Sequence, residues 1–282
     1  MTRTMRCAGT VVRLSGLIAL CVAVGSAQAP VVPTDHYGPP VCSAEPAAHG
    51  AKPAPRMSAA KAIAIEEAGA ADPASLPAVS PMENFDITRY RLADYADCVG
   101  TNGCYWADLD TQYKRAEAAL DYEVTTRKVG EKLAIVFDID ETTLSSYCEM
   151  QREDYGWIKA MSYEWVVSPQ AAVAIPGALR LFNRAKAFGV DIFFVTGRPE
   201  SQLEATARNL EAAGFHGWKR LDLKPAGDHD KPVLEYKASR RKRIVAEGYR
   251  LILNVGDQWS DLNGEPRAET NVKLPNPFYF LP

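Results

Sequence analysis

The sequence predicts an α/β fold, a doubly wound parallel sheet with a helical section ahead of it, and three observations carry that prediction. The run Leu133-Ala134-Ile135-Val136-Phe137 is continuously apolar, as a central strand buried on both faces must be. After it, short apolar runs alternate with helix-length amphipathic segments, the order that builds parallel sheets. Three of the apolar runs end abruptly in polar signatures, and ligands of open parallel sheets bind beyond the carboxyl ends of the strands.

In chain order, residues 1–29 carry Arg3, Arg6 and Arg13 without an acid, then the apolar stretch Leu14 to Val24, then Ala27-Gln28-Ala29. That sequence of basic, apolar and small-residue regions reads as a signal peptide cleaved after Ala29. The apolar stretch is shorter than the roughly 20 residues a helix needs to span a bilayer, so the expectation is an exported periplasmic or secreted protein with no stable membrane anchor. From residue 30 to about 84 the chain is rich in Pro and Ala and reads as an arm holding one short helix, Ser58 to Gly69, with Ser58 as its cap. Helical spacing recurs over Thr88 to Asp97 and Thr111 to Lys128, the latter with Tyr113, Ala116, Leu120 and Val124 on one stripe.

The main domain is assigned to residues 85–282. Past the strand at 133–137 it is expected to run helix Pro176 to Phe188, strand Val190 to Val195, helix Glu200 to Ala213, strand Leu221 to Leu223, helix Val233 to Glu247 and strand Leu251 to Val255. The gaps from Thr142 to Thr196 and from Arg198 to Lys237 are modest, so only a minimal cap is expected. The segment Tyr147 to Pro176, with Tyr155, Trp157, Tyr163 and Trp165, would rim the site, its aromatics either stacking on a flat leaving group or packing onto the helices below.

The formal net charge is −3 and moves to about −6 when the leader is removed, which argues against nucleic acid as a partner. Arg240-Arg241-Lys242-Arg243 is the one dense cationic run and reads as the solvated face of a helix. The leader takes Cys7 and Cys21 with it. Cys42, Cys98, Cys104 and Cys148 remain, an even number suited to disulfides in an oxidising compartment. Cys98 and Cys104 flank the turn-rich Val-Gly-Thr-Asn-Gly, whereas a Cys42 to Cys148 pair would follow only by elimination. The spacing does not suit zinc.

The chemistry lies in the polar strand ends: Asp138-Ile139-Asp140-Glu141-Thr142, Thr196-Gly197-Arg198 and Gly256-Asp257-Gln258-Trp259-Ser260-Asp261. A lone pair of acids at a strand end is ordinarily a cap, but three such signatures on one sheet edge describe a site. A phosphomonoester dianion repels a carboxylate, so carboxylate attack on phosphorus calls for a cation that holds the two together. Magnesium, a hard ion that keeps several waters, needs few protein oxygens. His216 and His229 lack the Arg-His-Gly setting of a histidine nucleophile and read as loop residues.

The signatures, with Tyr236-Lys237 and Lys273-Leu274-Pro275-Asn276-Pro277 in the same order, resemble the haloacid dehalogenase superfamily, and within it the exported acid phosphatases related to plant vegetative storage proteins. The resemblance covers about residues 85 to 282. It implies a Mg2+-dependent acid phosphatase working through an aspartyl-phosphate, and an open rim around a site that mainly grips phosphate suggests broad use of small phosphate monoesters, nucleotides among them. By the same resemblance Asp138 is the nucleophile and Asp140 the general acid and base, its pKa raised by neighbouring carboxylates and burial. The metal ligands are Asp138, the backbone oxygen of Asp140, and Asp257, with Asp261 behind them to orient a metal-bound water or Lys237. Thr196, Gly197 and Lys237 hold phosphate, Lys237 being preferred to Lys224, Lys231 and Lys242. Arg198 either clamps phosphate or pairs with a surface acid. Glu141 has no clear role, and Trp259 reads as a core residue. Two other functions stay open: a non-catalytic storage or binding protein on the same fold, and phosphoryl transfer to an acceptor alcohol.

Overall fold

The computed structural model describes residues 38–42, 57–76, 82–100, 103–156, 158–228 and 230–281. The expected leader, Cys7, Cys21, Trp157 and His229 lie outside them. Three helices precede the sheet: α1 (Ala59–Ala71), α2 (Phe85–Ala96) and α3 (Tyr105–Thr125). As expected, Ser58 caps α1, its hydroxyl accepting from the Lys61 amide at 3.4 Å. The buried Ala59 amide donates to Asp94 Oδ2 on α2 at 2.9 Å, tying this helix to the next. α3 begins six residues before the expected start, because Tyr105, Trp106 and Leu109 extend its buried stripe toward the N-terminus.

The sheet consists of β1 (Lys132–Phe137), β2 (Asp191–Pro199), β3 (Arg220–Lys224), β4 (Tyr249–Gly256) and β5 (Thr270–Lys273), in the order β3-β2-β1-β4-β5 with every pairing parallel. β1 shows why its sequence is continuously apolar. Leu133, Ile135 and Phe137 enter one core with α3 and α6 (Pro176–Ala187), while Ala134 and Val136 enter a second core beneath α8 (Val233–Ala246). α3 and α6 cross closely at Gly177, where an added Cβ would lie 2.4 Å from the Tyr113 ring. The Tyr113 hydroxyl in turn donates to the Thr142 carbonyl at 2.5 Å, which connects this helical layer to the strand end.

Four elements were not anticipated: α4 (Tyr147–Arg152), α5 (Lys159–Val167), α9 (Trp259–Leu262) and β5. α4, α9 and β5 are six residues or shorter, too short to display a period, and α5 interleaves Lys159, Ser162 and Glu164 with its apolar residues. Together with the segment up to α6, α4 and α5 form the modest rim that the spacing allowed. α7 (Leu203–Ala212) completes the set, preceded by a single 3₁₀ turn at Glu200–Gln202 where a longer helix was expected.

Both cysteine pairs are disulfides. Cys98–Cys104 closes the turn between α2 and α3, and Cys42–Cys148 fastens residues 38–42 to α4. The second spans 106 residues of sequence, a closure that a chain-entropy account values at about 4–5 kcal/mol. The cationic run departs from its expectation. Arg241, in the middle of the cationic run, is fully buried, and its guanidinium donates to the carbonyls of Pro266, Asp261, Asn263 and Gly264. It fixes the loop after α9, while Lys242 and Arg243 are the residues that face solvent.

Candidate active site

Strand order turns around between β1 and β4. The chain proceeds from β1 outward through β2 to β3, then returns to the other side of β1 for β4 and β5. At such a switch point the loops leaving neighbouring strands part and open a crevice. Asp138 follows β1, its amide donating to the Val255 carbonyl at 3.0 Å, and Asp257 follows β4. The two expected ligands therefore face each other because of topology, although they lie far apart in the sequence.

Asp261 reaches the same place by a local route. A capping box opens α9: the Asp261 carboxylate accepts from the Gln258 amide at 2.8 Å through Oδ2. This brings the side chain back under Gly256, where an added Cβ would lie 2.4 Å from Asp261 Cβ and 2.5 Å from Oδ2. Gly256 is thus required by the carboxylate it accommodates. Carboxylate oxygens of Asp138, Asp257 and Asp261 lie within 4.8 Å of one another, all three residues buried.

Lys237 projects from α8 into this group, its Nζ 2.5 Å from Asp138 Oδ1 and 2.5 Å from Asp261 Oδ1. Burial alone would lower its pKa, but Asp138 and Asp261 hold the ammonium protonated above the usual lysine range. Burial pushes Asp138 upward, with Lys237 opposing and Asp261, Asp257 and Asp140 reinforcing. Asp257 is raised to about 7 by burial and by Asp261, against the Asn276 hydrogen bond. Its Oδ1 accepts from Thr142 Oγ1 at 3.2 Å, and its Oδ2 from Gln258 Nε2 and Asn276 Nδ2, each at 2.7 Å.

A cluster of buried carboxylates with one lysine carries excess negative charge, and hard oxygen donors in this number suit a hard divalent cation. The residues present fit such an ion. Asp261 reaches Lys237, one of the two partners expected for it, and its carboxylate also lies within the cluster, while the Asp140 side chain points elsewhere.

Asp140 retains 30% side-chain exposure, so the burial expected of it is absent. It meets Arg198, with Nη2 2.7 Å from Oδ1 and Nε 3.2 and 3.1 Å from Oδ1 and Oδ2. Arg198 is buried, and the carboxylate it pairs with is that of Asp140, the second acid of the site, instead of a surface acid. Thr196 is buried within β2, which runs past the expected end at Val195 to Pro199, and Gly197 next to it is exposed. A Cβ on Gly197 would meet only Val233 at 3.6 Å, so the fold itself does not demand glycine here.

Glu141, ambiguous in sequence, is buried in the left-handed region with φ 51°. Its carboxylate accepts from the Ser146 amide at 2.7 Å and hydroxyl at 2.5 Å, and from the Tyr279 hydroxyl at 2.6 Å. Burial and Asp140 raise it to about 7 despite these bonds. Trp259 is 55% exposed, not a core residue, and Lys273 Nζ lies 5.8 Å from its ring centroid. Of the rim aromatics, Tyr155 and Trp165 are packed inward, and Tyr163 is exposed. His216 lies in a loop with its carbonyl accepting from Lys186.

Sequence reasoning missed Thr142, Gln258, Asn276 and Tyr279 as supports. Asn276 sits in the Leu-Pro-Asn-Pro segment already singled out, and its Oδ1 also accepts from the Phe278 amide at 2.8 Å, which folds that segment back onto Asp257.

This arrangement defines a member of a known class. The chain belongs to the HAD superfamily, subfamily IIIB (acid phosphatase), whose family model matches residues 58–282. It is 38% identical over 148 residues to acid phosphatase 1 of Solanum lycopersicum, covering 52% of this chain and 58% of that protein. It is 35% identical over 164 residues to a stem 31 kDa glycoprotein of Glycine max, covering 57% and 64%. Identity to vegetative storage protein 2 of Arabidopsis thaliana is 35% over 203 residues, covering 71% and 75%. The match thus takes in less than two thirds of the length of the first two relatives. Among solved structures, the class C acid phosphatase from Bacillus anthracis superposes with a TM-score of 0.54 at 24% identity, covering 67% of this chain and 84% of that one, which supports the fold. Among the described residues no helix is long and apolar enough to cross a membrane.

Proposed function

We propose that the protein is an exported, magnesium-dependent acid phosphatase that hydrolyses small phosphate monoesters through an aspartyl-phosphate on Asp138. The observation that carries this reading is the buried meeting of Asp138, Asp257, Asp261 and Lys237 at the switch point of the sheet. The division into a leader over 1–29, an arm over 30–84 and a phosphatase domain over 85–282 belongs to the same proposal, as does nucleotide use.

Asp138, Asp257 and Asp261, with the backbone oxygen of Asp140, would hold the cation, which when bound supplies charge neutralisation between phosphate and carboxylate. The chain's own residues do the rest. A carboxylate oxygen of Asp138 attacks phosphorus, the bond from phosphorus to the ester oxygen breaks, and Asp140 gives its proton to the departing alcohol. Water then attacks the phosphoryl group, Asp140 takes up its proton, and the bond from phosphorus to Asp138 breaks, releasing phosphate. Lys237 stabilises charge on the transferring group, and Thr196 and the Gly197 amide receive its oxygens. The exposed Gly197 leaves its backbone open to such an approach.

Similarity to a vegetative storage protein favours a second reading, a non-catalytic protein on this fold. The complete set Asp138, Asp140, Thr196, Lys237 and Asp257 speaks for catalysis. Hydrolysis of a chromogenic phosphate monoester, with and without chelator, decides between them. The catalytic reading predicts activity lost on chelation, restored by Mg2+, and reduced by about 10³-fold or more in Asp138→Asn. Undiminished activity in that variant would sink it.

A further inference from the structure

Arg198 is a buried charged residue of the site that the reaction above leaves without a task. Its surroundings give it one. Nη2 and Nε form a fork on the Asp140 carboxylate, with contacts of 2.7, 3.1 and 3.2 Å. The remaining nitrogen, Nη1, donates to Thr206 Oγ1 on α7 at 3.1 Å and lies 3.5 Å from the Val166 carbonyl at the end of α5. Thr206 is fully buried. The Val166 carbonyl is itself held by Asn209 Nδ2 at 3.1 Å, and that amide also donates to the Ser168 carbonyl at 2.9 Å. Arg198 therefore stands on a fixed base formed by α7 and the end of the rim helix.

Asp140 is otherwise poorly constrained. Its side chain is part-exposed, and it sits at a strand end where a free carboxylate samples several rotamers. A planar guanidinium making two parallel contacts fixes both the position and the plane of the carboxylate, which a single ammonium cannot do.

We infer that Arg198 is a positioning residue for Asp140: it does not grip the phosphate but aims the carboxyl that serves the leaving oxygen, with Thr206 fixing the guanidinium. This rests on the reading of Asp140 as general acid. It has a consequence that phosphate binding would not have. Proton donation matters most for esters whose alcohol leaves poorly and little for p-nitrophenolate, which departs without help.

The test compares an alkyl phosphate with p-nitrophenyl phosphate for Arg198→Met, Arg198→Lys, Thr206→Val and Asp140→Asn in the Mg2+-loaded enzyme, together with inhibition by inorganic phosphate. Expected for Arg198→Met is a fall in kcat/KM, which reports departure of the alcohol and not the later step common to both esters, about ten- to a hundredfold greater on the alkyl ester than on p-nitrophenyl phosphate, with phosphate inhibition altered by less than about twofold. Arg198→Lys should fall between, since it keeps the charge and loses the fork. Thr206→Val should show the same preference in milder form, and it provides the reading if Arg198→Met does not fold. Equal losses on both esters would overturn the inference, whether phosphate inhibition weakens in parallel, as for a phosphate clamp, or stays constant, as for a merely structural residue. If Asp140→Asn itself shows no dependence on leaving group, the underlying reading of Asp140 fails instead.

Discussion

The two acids of Asp138-Ile139-Asp140 are two residues apart and occupy different kinds of place. Asp138 belongs to a floor: buried, joined to Lys237 at 2.5 Å, and surrounded by Asp257 and Asp261 from the far side of the switch point. Asp140 belongs to a lip: part-exposed, held by Arg198, and supported by α7 and the rim. Alternation along a strand would put residues two apart on one side, but β1 ends at Phe137 and the chain turns, with Glu141 at φ 51°, so one motif receives two environments. The difference teaches that the floor is a matter of electrostatic balance, whereas the lip is a matter of aim. The two should respond differently to perturbation.

The largest effect is expected at the floor's single cation. Lys237→Met leaves Asp138 and Asp261 buried without their partner, so the metal-free protein should lose about 3–5 kcal/mol of unfolding free energy, read from denaturant melts. Added Mg2+ should recover part of that loss, and a variant as stable as the parent without metal would break the electrostatic account of the floor.

Two glycines sharpen the comparison next. Gly256→Ala drives a methyl into Asp261, and Gly177→Ala drives one into the Tyr113 ring, each with a contact of 2.4 Å. Both should cost about 1–3 kcal/mol of stability. Only Gly256→Ala should also weaken Mg2+ binding, measured by calorimetry, because only it displaces a carboxylate of the cluster.

The smallest effect is a pH trend. Asp257 and Glu141 are raised to about 7 in the folded chain, above the values near 4 that unfolded carboxyls take. The folded state thus binds more protons than the unfolded one between those limits. Stability contributed by these groups is full below about pH 4 and is lost as pH rises through about 7. Thermal melts of the chelated protein should therefore show a higher Tm at pH 5.5 than at pH 7.5. Mg2+ should narrow that gap, since it requires the deprotonated carboxylates. A chelated protein that is more stable at pH 7.5 would contradict the assignment.

Much of the floor was legible in the sequence because it is local to strand ends. An apolar run that stops at Asp138, Thr196 or Asp257 states both the strand and the edge where its polar residues emerge. Asp261 was legible as a support and not as a member of the cluster, because its position depends on the capping box at Gln258 and on the absent side chain of Gly256. The lip was less legible. Arg198 finds Asp140 across 58 residues of sequence, and its base comprises Thr206 and a carbonyl of α5, a helix whose own pattern was too weak to see. Arg241 misled for a related reason: a cationic run looks solvated until a loop with unpaired carbonyls folds over one of its members. Trp259 misled in the opposite direction, its aromatic ring suggesting burial where α9 turns it outward.

The claim on which the rest depends is that Asp138 forms a covalent bond to phosphorus. It is tested most directly by rapid acid quench of the Mg2+-loaded enzyme turning over a phosphate monoester, followed by mass spectrometry of its peptides. The account predicts a phosphoryl group on the peptide containing Asp138, localised to that residue, released on incubation at neutral pH and absent from Asp138→Asn. A phosphoryl group found on a different residue, or full turnover with none trapped under conditions that preserve acyl phosphates, would contradict it.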